Sequence, residues 1–131
     1  MQRVLRRLSG TSQMSGSNKY DQNSPDDVAI SGFLDKQSPS MFKVSWQKRY
    51  CVLTISDKCL RYFKNEDDAQ EAGTVDISKM QATGPGDQTD TCTTFAVQMS
   101  DRVFAFEAPS HEVMKMWINN IACVKSGKTP P

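Results

Sequence analysis

The sequence predicts a mainly β fold, a partly open barrel of seven strands in two antiparallel sheets, capped by one C-terminal α-helix. Two observations support this prediction. Apolar residues alternate with period 2 in several short segments between Ile30 and Phe106, and polar turn signals separate these segments. After Pro109 the apolar spacing changes to that of a helix. Short strands with regular turns are typical of a sandwich or a small barrel.

The first 28 residues differ from the remainder in composition. They are rich in Ser, Gln, Asn and Gly, which predicts a largely disordered polar tail whose N-terminus is basic. We therefore expect a tail over 1–28, a folded domain over 29–126 and a short C-terminal tail over 127–131. Arg6-Arg7-Leu8-Ser9 is similar to substrates of basophilic kinases, and phosphorylation of Ser9 would add about −2 charge there. The simpler interpretation is a solvated tail.

The first two strands enclose the most basic part of the chain. Leu34 and Lys36 share one face of the first strand, because side chains alternate across a strand. On the second strand Gln47 and Arg49 share a face, and Lys48 points to the other. Residues 31–53 carry four bases against one acid, although the net charge of the whole chain is only +1. Such an uneven distribution orients a protein towards an anionic surface.

Five further strands are expected. Cys59–Lys64 forms the third strand and Thr74–Ile77 a short fourth, with a fifth near Met80. The Gly-Pro-Gly-Asp segment at 84–87 breaks the pattern. Strands six and seven form a hairpin over 95–106, where apolar residues alternate on both sides of a Ser-Asp turn.

The last element is an amphipathic helix that begins at His111, with Ser110 as its N-cap. Val113, Trp117 and Ile121 recur at helical spacing on its apolar face. A single amphipathic helix is not stable alone in water, so it must cover an open end of the barrel. Trp117 is therefore expected in the core.

Several function classes lack the residues they need. The sequence shows no catalytic constellation, and we expect a protein without enzyme activity and without a cofactor. No apolar run reaches the length of a membrane-spanning helix, and the bases form no stripe suited to nucleic acid. The four cysteines lack metal-ligand spacing, so we interpret them as reduced packing residues of a cytoplasmic protein. A disulfide framework or a zinc site is the weaker alternative.

The loop between the first two strands is the candidate binding site. If these strands pair as a hairpin, Lys36 and Arg49 converge at its loop end, and phosphates on an inositol ring need several such fixed donors. Lys43, near the loop tip, would contact neighbouring anionic lipids. Met41 and Phe42 would insert shallowly into the headgroup region as membrane contacts, unless Phe42 packs over the barrel edge.

These residues, with the seven strands and the helix, resemble the pleckstrin homology (PH) domain family over about residues 31–125. Lipid-binding members of that family have a Lys at the end of the first strand and a basic-x-Arg motif at the start of the second. Lys36 matches the former and Arg49 the Arg of the latter. The resemblance also implies phosphate contacts for Tyr62, near the end of the third strand, and for Arg102, two residues before a Phe.

The chain departs from the binding motif at Gln47, which stands where the first base of basic-x-Arg is expected. A charge-assisted hydrogen bond contributes roughly 1.5–3 kcal/mol and a neutral one about 1 kcal/mol, so the change costs around tenfold in affinity. Gln47 therefore remains a candidate headgroup contact, but of a weak or broadly specific site.

Two functions follow as hypotheses. The first is a monomeric signalling module in the cytoplasm, recruited reversibly to membrane surfaces that contain phosphoinositides. The second is a protein–protein interaction domain of the same fold, which binds an adaptor or a small GTPase and has little affinity for lipid. Binding to a headgroup should weaken steeply as the salt concentration rises, and this dependence would distinguish the first function from the second.

Overall fold

The computed structural model describes residues 25–38 and 44–128, and within these ranges the predicted fold class is confirmed. Seven strands are followed by one helix, α1, at His111–Ser126. Single 3-10 turns lie at Pro25–Asp27 and Ile77–Lys79. No helix in the described ranges is long and apolar enough to span a membrane. The strands, in chain order, are β1 Val28–Gln37, β2 Trp46–Thr54, β3 Cys59–Phe63, β4 Gly73–Asp76, β5 Ala82–Pro85, β6 Thr94–Gln98 and β7 Val103–Glu107.

The strands form one antiparallel sheet in the order β4-β3-β2-β1-β7-β6-β5. β1 joins the two halves of this sheet, because it pairs with β2 along its length and with β7 through Asp35 and Lys36. The order ends at β4 and β5, so the barrel is not closed. The two sheets expected from sequence are therefore continuous through the end of β1.

The fifth strand differs from the sequence-based expectation. It lies at Ala82–Pro85, whereas residues just before Met80 form a 3-10 turn. Asp76 caps that turn, since its carboxylate accepts a hydrogen bond from the Ser78 backbone N–H at 3.0 Å. The Gly-Pro pair expected to break the pattern lies inside β5 instead. Pro85 is tolerated there because β5 is an edge strand and stands at the end of the sheet order.

The apolar face of α1 covers the open side of the sheet. Ser110 is the N-cap, and its hydroxyl accepts a hydrogen bond from the Val113 backbone N–H at 3.2 Å. Trp117 is 1% exposed and stacks on Phe95 with ring centroids 6.5 Å apart, while Phe95 stacks on Phe106 at 5.4 Å. This row of rings joins the helix to β6 and β7, and it confirms that Trp117 belongs to the core.

We predict that Trp117→Ala lowers the free energy of unfolding by about 3–5 kcal/mol, because it leaves a large cavity beneath the helix. The matched control is Trp46→Ala, which removes the other tryptophan of the chain from a site that is 40% exposed. That variant is expected to lose less than about 1 kcal/mol. Urea unfolding measures both, and equal losses would contradict the assignment of Trp117 to the core.

Candidate functional site

Lys36 lies where β1 pairs with two strands at once, opposite Gln47 on β2 and Phe106 on β7. The residue is only 6% exposed. Its Nζ atom lies 4.9 Å from the ring centroid of Tyr62 and 5.6 Å from that of Phe104. Two aromatic faces from distant strands therefore surround a lysine that sequence reasoning had placed at the open edge of a loop.

The charge of Lys36 is not neutralised by a carboxylate within residues 25–38 and 44–128. Burial lowers the pKa of its ammonium group below 10.5, and the positive charges of Arg102 and Arg49 lower this pKa further. Three cations thus share one site and repel one another. An anion that joined these cations would relieve their repulsion, and perturbed lysines of this kind are typical of functional sites.

Arg49 is held in place by its own strand. Its Nη2 donates a hydrogen bond to Oε1 of Gln47 at 3.0 Å, and its Nη1 donates to the backbone oxygen of Lys48 at 2.8 Å. The neutral Gln47 therefore supplies an acceptor that orients the guanidinium group. A basic residue at this position could not do so, because it has no acceptor.

Arg102 reaches the same site from the turn between β6 and β7. Its guanidinium carbon lies 4.1 Å from the ring centroid of Phe104, so this ring contacts both Arg102 and Lys36. Beside them is an open concavity of about 390 Å³. Its lining residues are Lys36, Gln37, Ser38, Val44, Arg102, Val103 and Phe104. The concavity offers a phosphate-sized anion direct access to two of the three cations.

Tyr62 owes its position to the glycine opposite. It pairs with Gly73 between β3 and β4. A Cβ atom at Gly73 would lie 2.1 Å from Oη of Tyr62 and 2.2 Å from its Cζ. The absence of a side chain at Gly73 therefore lets the tyrosine ring lie across β4, where it contacts Lys36.

The structure brings together most of the residues singled out from sequence, namely Lys36, Gln47, Arg49, Tyr62 and Arg102. Lys43, Met41 and Phe42 lie outside the described residues. Sequence reasoning missed the roles of Phe104 and Gly73. The Arg-x-Phe spacing of Arg102 and Phe104 is the one sequence signal that could have indicated the role of Phe104. No local sequence signal marks the role of Gly73.

A buried thiol also lies near this site. Burial raises the pKa of the Cys51 thiol, so this buried group beside Lys36 and Arg49 stays protonated. In the part of the chain that the structure describes, no group of three or more His, Cys, Asp or Glu side chains is placed to hold a metal ion. What the arrangement offers chemically is a set of fixed hydrogen-bond donors with positive charge.

Comparisons with known proteins agree with the observed fold. The family model described as PH domain matches residues 28–125, as the sequence resemblance had predicted. Src kinase-associated phosphoprotein 2-A of Xenopus laevis is 33% identical over 101 residues, which cover 72% of this chain and 30% of that protein. Src kinase-associated phosphoprotein 2 of Danio rerio is 36% identical over 101 residues, covering 72% and 29%. The chain thus spans less than a third of these curated relatives.

Solved structures show the same fold at lower identity. The PH domain of human TBC1 domain family member 2 has a TM-score of 0.66 at 17% identity, with 75% of this chain and 81% of that chain covered. The C-terminal PH domain of pleckstrin in complex with D-myo-Ins(1,2,3,4,5)P5 has a TM-score of 0.63 at 16% identity, with 74% and 97% covered. At such identities the likeness concerns the fold alone.

Lys36→Met is predicted to raise the thermal midpoint at pH 7 by a few degrees, because it keeps the buried stem and removes a desolvated charge. A lowered lysine pKa destabilises the fold fully below the folded-state pKa. This cost disappears as the pH rises from that value to 10.5. The advantage of the variant should therefore shrink between pH 7 and pH 10 in thermal unfolding. A lower midpoint at pH 7 would mean that the two cation–π contacts outweigh desolvation.

Gly73→Ala is expected to destabilise the domain by about 1–3 kcal/mol, because the new methyl group displaces the Tyr62 ring. Gly84→Ala is the matched control, since a Cβ atom there meets nothing within 4 Å. Chemical denaturation of both variants measures the difference. If the two variants lost equal stability, the close packing of Tyr62 on Gly73 would be disproved.

Proposed function

The chain belongs to the PH domain family, and we propose that it is a non-catalytic module that binds phosphoinositide headgroups at membranes, with modest affinity or broad specificity. PH domains mediate lipid or protein interactions, and the family is a binding family without catalytic activity. The observation that carries the proposal is the buried ammonium group of Lys36, which lies beside Arg49 and Arg102 without a carboxylate among the described residues.

Phosphate is the anion that suits these groups. Arg49 donates two hydrogen bonds, to Gln47 and to the backbone oxygen of Lys48. The other N–H groups of its guanidinium group can form charge-assisted hydrogen bonds with a ligand. A guanidinium group binds phosphate with two parallel bonds, whereas the ammonium group of Lys36 acts as a point charge. A multiply phosphorylated inositol ring would engage both and relieve their repulsion. One structural neighbour, the C-terminal PH domain of pleckstrin, holds an inositol pentakisphosphate.

Membrane contact is proposed for the residues around the opening. Val44 and Val103 line the concavity and are 64% and 59% exposed. Apolar side chains beside a cationic opening suit the boundary between headgroups and acyl chains. Lys43, Met41 and Phe42 precede Val44 in the loop and remain proposed membrane contacts. We propose a cytoplasmic monomer that is recruited to the membrane reversibly.

A protein partner is the second candidate function, and the relatives favour it. Those at 31–36% identity are Src kinase-associated phosphoproteins, whose name describes association with a kinase. In that case Lys36, Arg49 and Arg102 would receive an acidic or phosphorylated segment of a signalling protein instead of a lipid headgroup.

The proposal is tested by co-sedimentation with liposomes that contain mono-, bis- or trisphosphorylated phosphoinositides, at two salt concentrations. Arg49→Ala should weaken binding by about 10- to 100-fold, because it removes charge-assisted bonds of roughly 1.5–3 kcal/mol each. Lys115→Ala is the matched control, since it removes one positive charge from an exposed residue paired with Glu112 on α1. Wild-type binding no stronger than to phosphatidylserine liposomes would reject the lipid function and favour a protein partner.

Gln47→Lys tests why the affinity should be modest. The new ammonium group adds a charged donor opposite Lys36, so headgroup affinity should rise by about tenfold at low salt. Gln47→Met serves as the control, because it removes the amide without adding charge. Isothermal titration with a soluble inositol phosphate measures all three proteins. An unchanged or lower affinity in Gln47→Lys would show that the hydrogen bond from Arg49 to Gln47 matters more than an added charge.

A further inference from the structure

A second open cleft, called here the outer cleft, lies on the face of β1 opposite to the Lys36 site. Side chains alternate along β1, so Asp35 and Lys36 point to opposite faces. Asp35 lies between Lys48 of β2 and Glu107 of β7, its direct partners in the two strand pairs. These three residues line a cleft of about 510 Å³, a volume typical of ligand sites.

The outer cleft forms because β1 and β7 separate there. β7 pairs with β1 at Asp35 and Lys36, and it ends at Glu107. The chain then passes through Pro109, which has no backbone N–H and cannot extend the strand pairing, and enters α1. Phe33 and the residues before it in β1 pair with β2. The cleft is therefore lined by Phe33 from β1 and by Pro109 from the segment after β7.

The charges in the outer cleft are poorly matched. Asp35 forms no ion pair with any residue that the structure describes, although Lys48 stands opposite it. The Nζ atom of Lys48 lies instead 4.7 Å from the ring centroid of Phe33. Oε2 of Glu107 accepts a hydrogen bond from the Thr93 hydroxyl at 3.0 Å, which holds this carboxylate on the strand beside Asp35. Two carboxylates therefore share the cleft with one ammonium group, and its net charge is negative.

Two exposed aromatic side chains flank this row of charges on the same face. Phe33 lies on one side of the row, opposite Tyr50, and Trp46 lies on the other side, opposite Gln37. Their exposed fractions are 39% and 40%. Aromatic residues are enriched at the places where proteins contact each other. The outer cleft thus combines negative charge with exposed aromatic surface.

An arginine is the group that suits this combination. Its planar guanidinium group donates parallel hydrogen bonds to carboxylates and stacks on aromatic rings. The carboxylates of Asp35 and Glu107 would repel a phosphate group, which disfavours lipid headgroups and nucleic acids. A metal ion would find too few ligands, since no three His, Cys, Asp or Glu side chains converge within the described ranges. A basic protein segment is therefore the occupant whose charge complements the cleft.

We propose that the outer cleft binds a segment of a partner protein in which an arginine stands beside apolar residues. The guanidinium group lies between Asp35 and Glu107, and the apolar residues contact Phe33 and Trp46. This goes beyond the proposed function, because the outer cleft and the Lys36 site lie on opposite faces of the sheet and carry opposite charge. The domain thereby holds an anion on one face and a basic protein segment on the other.

The test uses a library of short peptides of random sequence, selected for binding to the full chain. The bound peptides should be enriched in arginine next to aromatic or aliphatic residues. Asp35→Asn with Glu107→Gln should weaken the binding of a selected peptide by about tenfold or more, because charge-assisted hydrogen bonds are lost. Asp67→Asn with Glu112→Gln removes equal charge at two exposed residues and should change the affinity little. No enrichment, enrichment of acidic peptides, or equal affinity of the two double variants would overturn the proposal.

A second experiment shows whether the arginine contacts these carboxylates. The selected peptide is remade with glutamine in place of arginine. This change should weaken binding to the wild-type chain by about tenfold, but binding to the variant with Asp35→Asn and Glu107→Gln much less. Arg49→Ala, on the opposite face of the sheet, should not weaken peptide binding. Equal losses from the glutamine peptide in both proteins, or weaker binding to Arg49→Ala, would refute the outer cleft as the site, whatever the liposome experiments show.

Discussion

Lys36 carries a positive charge that the domain buries between two aromatic rings and does not neutralise with a carboxylate of any described residue. Its position follows from the strand order, because β1 pairs with both β2 and β7 at this residue. Arg102 and Phe104 reach the site on β7 and its preceding turn, and Tyr62 reaches it on β3. Three features of the site depend on this point, where β1 pairs with both β2 and β7. They are the open concavity, the position of Arg49 and the lowered pKa of Lys36.

The stability of the fold and the chemistry of the site oppose each other there. The stacked rings of Phe95, Phe106 and Trp117 stabilise the core. This stabilisation offsets the unfavourable burial of the Lys36 charge. An arriving phosphate would remove part of the cost, because it supplies the missing negative charge and accepts hydrogen bonds. Gln47 limits the number of cations to three, and it orients Arg49 without adding to their repulsion.

Alternation along each strand is local, and it was enough to predict that Gln47 and Arg49 share a face of β2. The proximity of Lys36 to Arg49 followed from the further expectation that β1 and β2 pair as a hairpin. The burial of Lys36 could not be predicted in this way, because Tyr62 and Phe104 come from strands distant in sequence. Gly73 was missed for the same reason, as only the pairing of β3 with β4 shows what a side chain there would meet. The fifth strand was predicted at the wrong place for two reasons. Pro85 suggested a break, although an edge strand tolerates a proline. The 3-10 turn at Ile77–Lys79 has the composition of a strand.

The most direct test of this account is the pKa of Lys36, measured by NMR titration of 13C-labelled lysine side chains with and without a soluble inositol phosphate. The account requires a Lys36 pKa below 10.5 in the free protein, from burial and the two arginines, and a rise towards or above that value when the phosphate binds. A free-protein Lys36 pKa of 10.5 or above that the ligand leaves unchanged would contradict it.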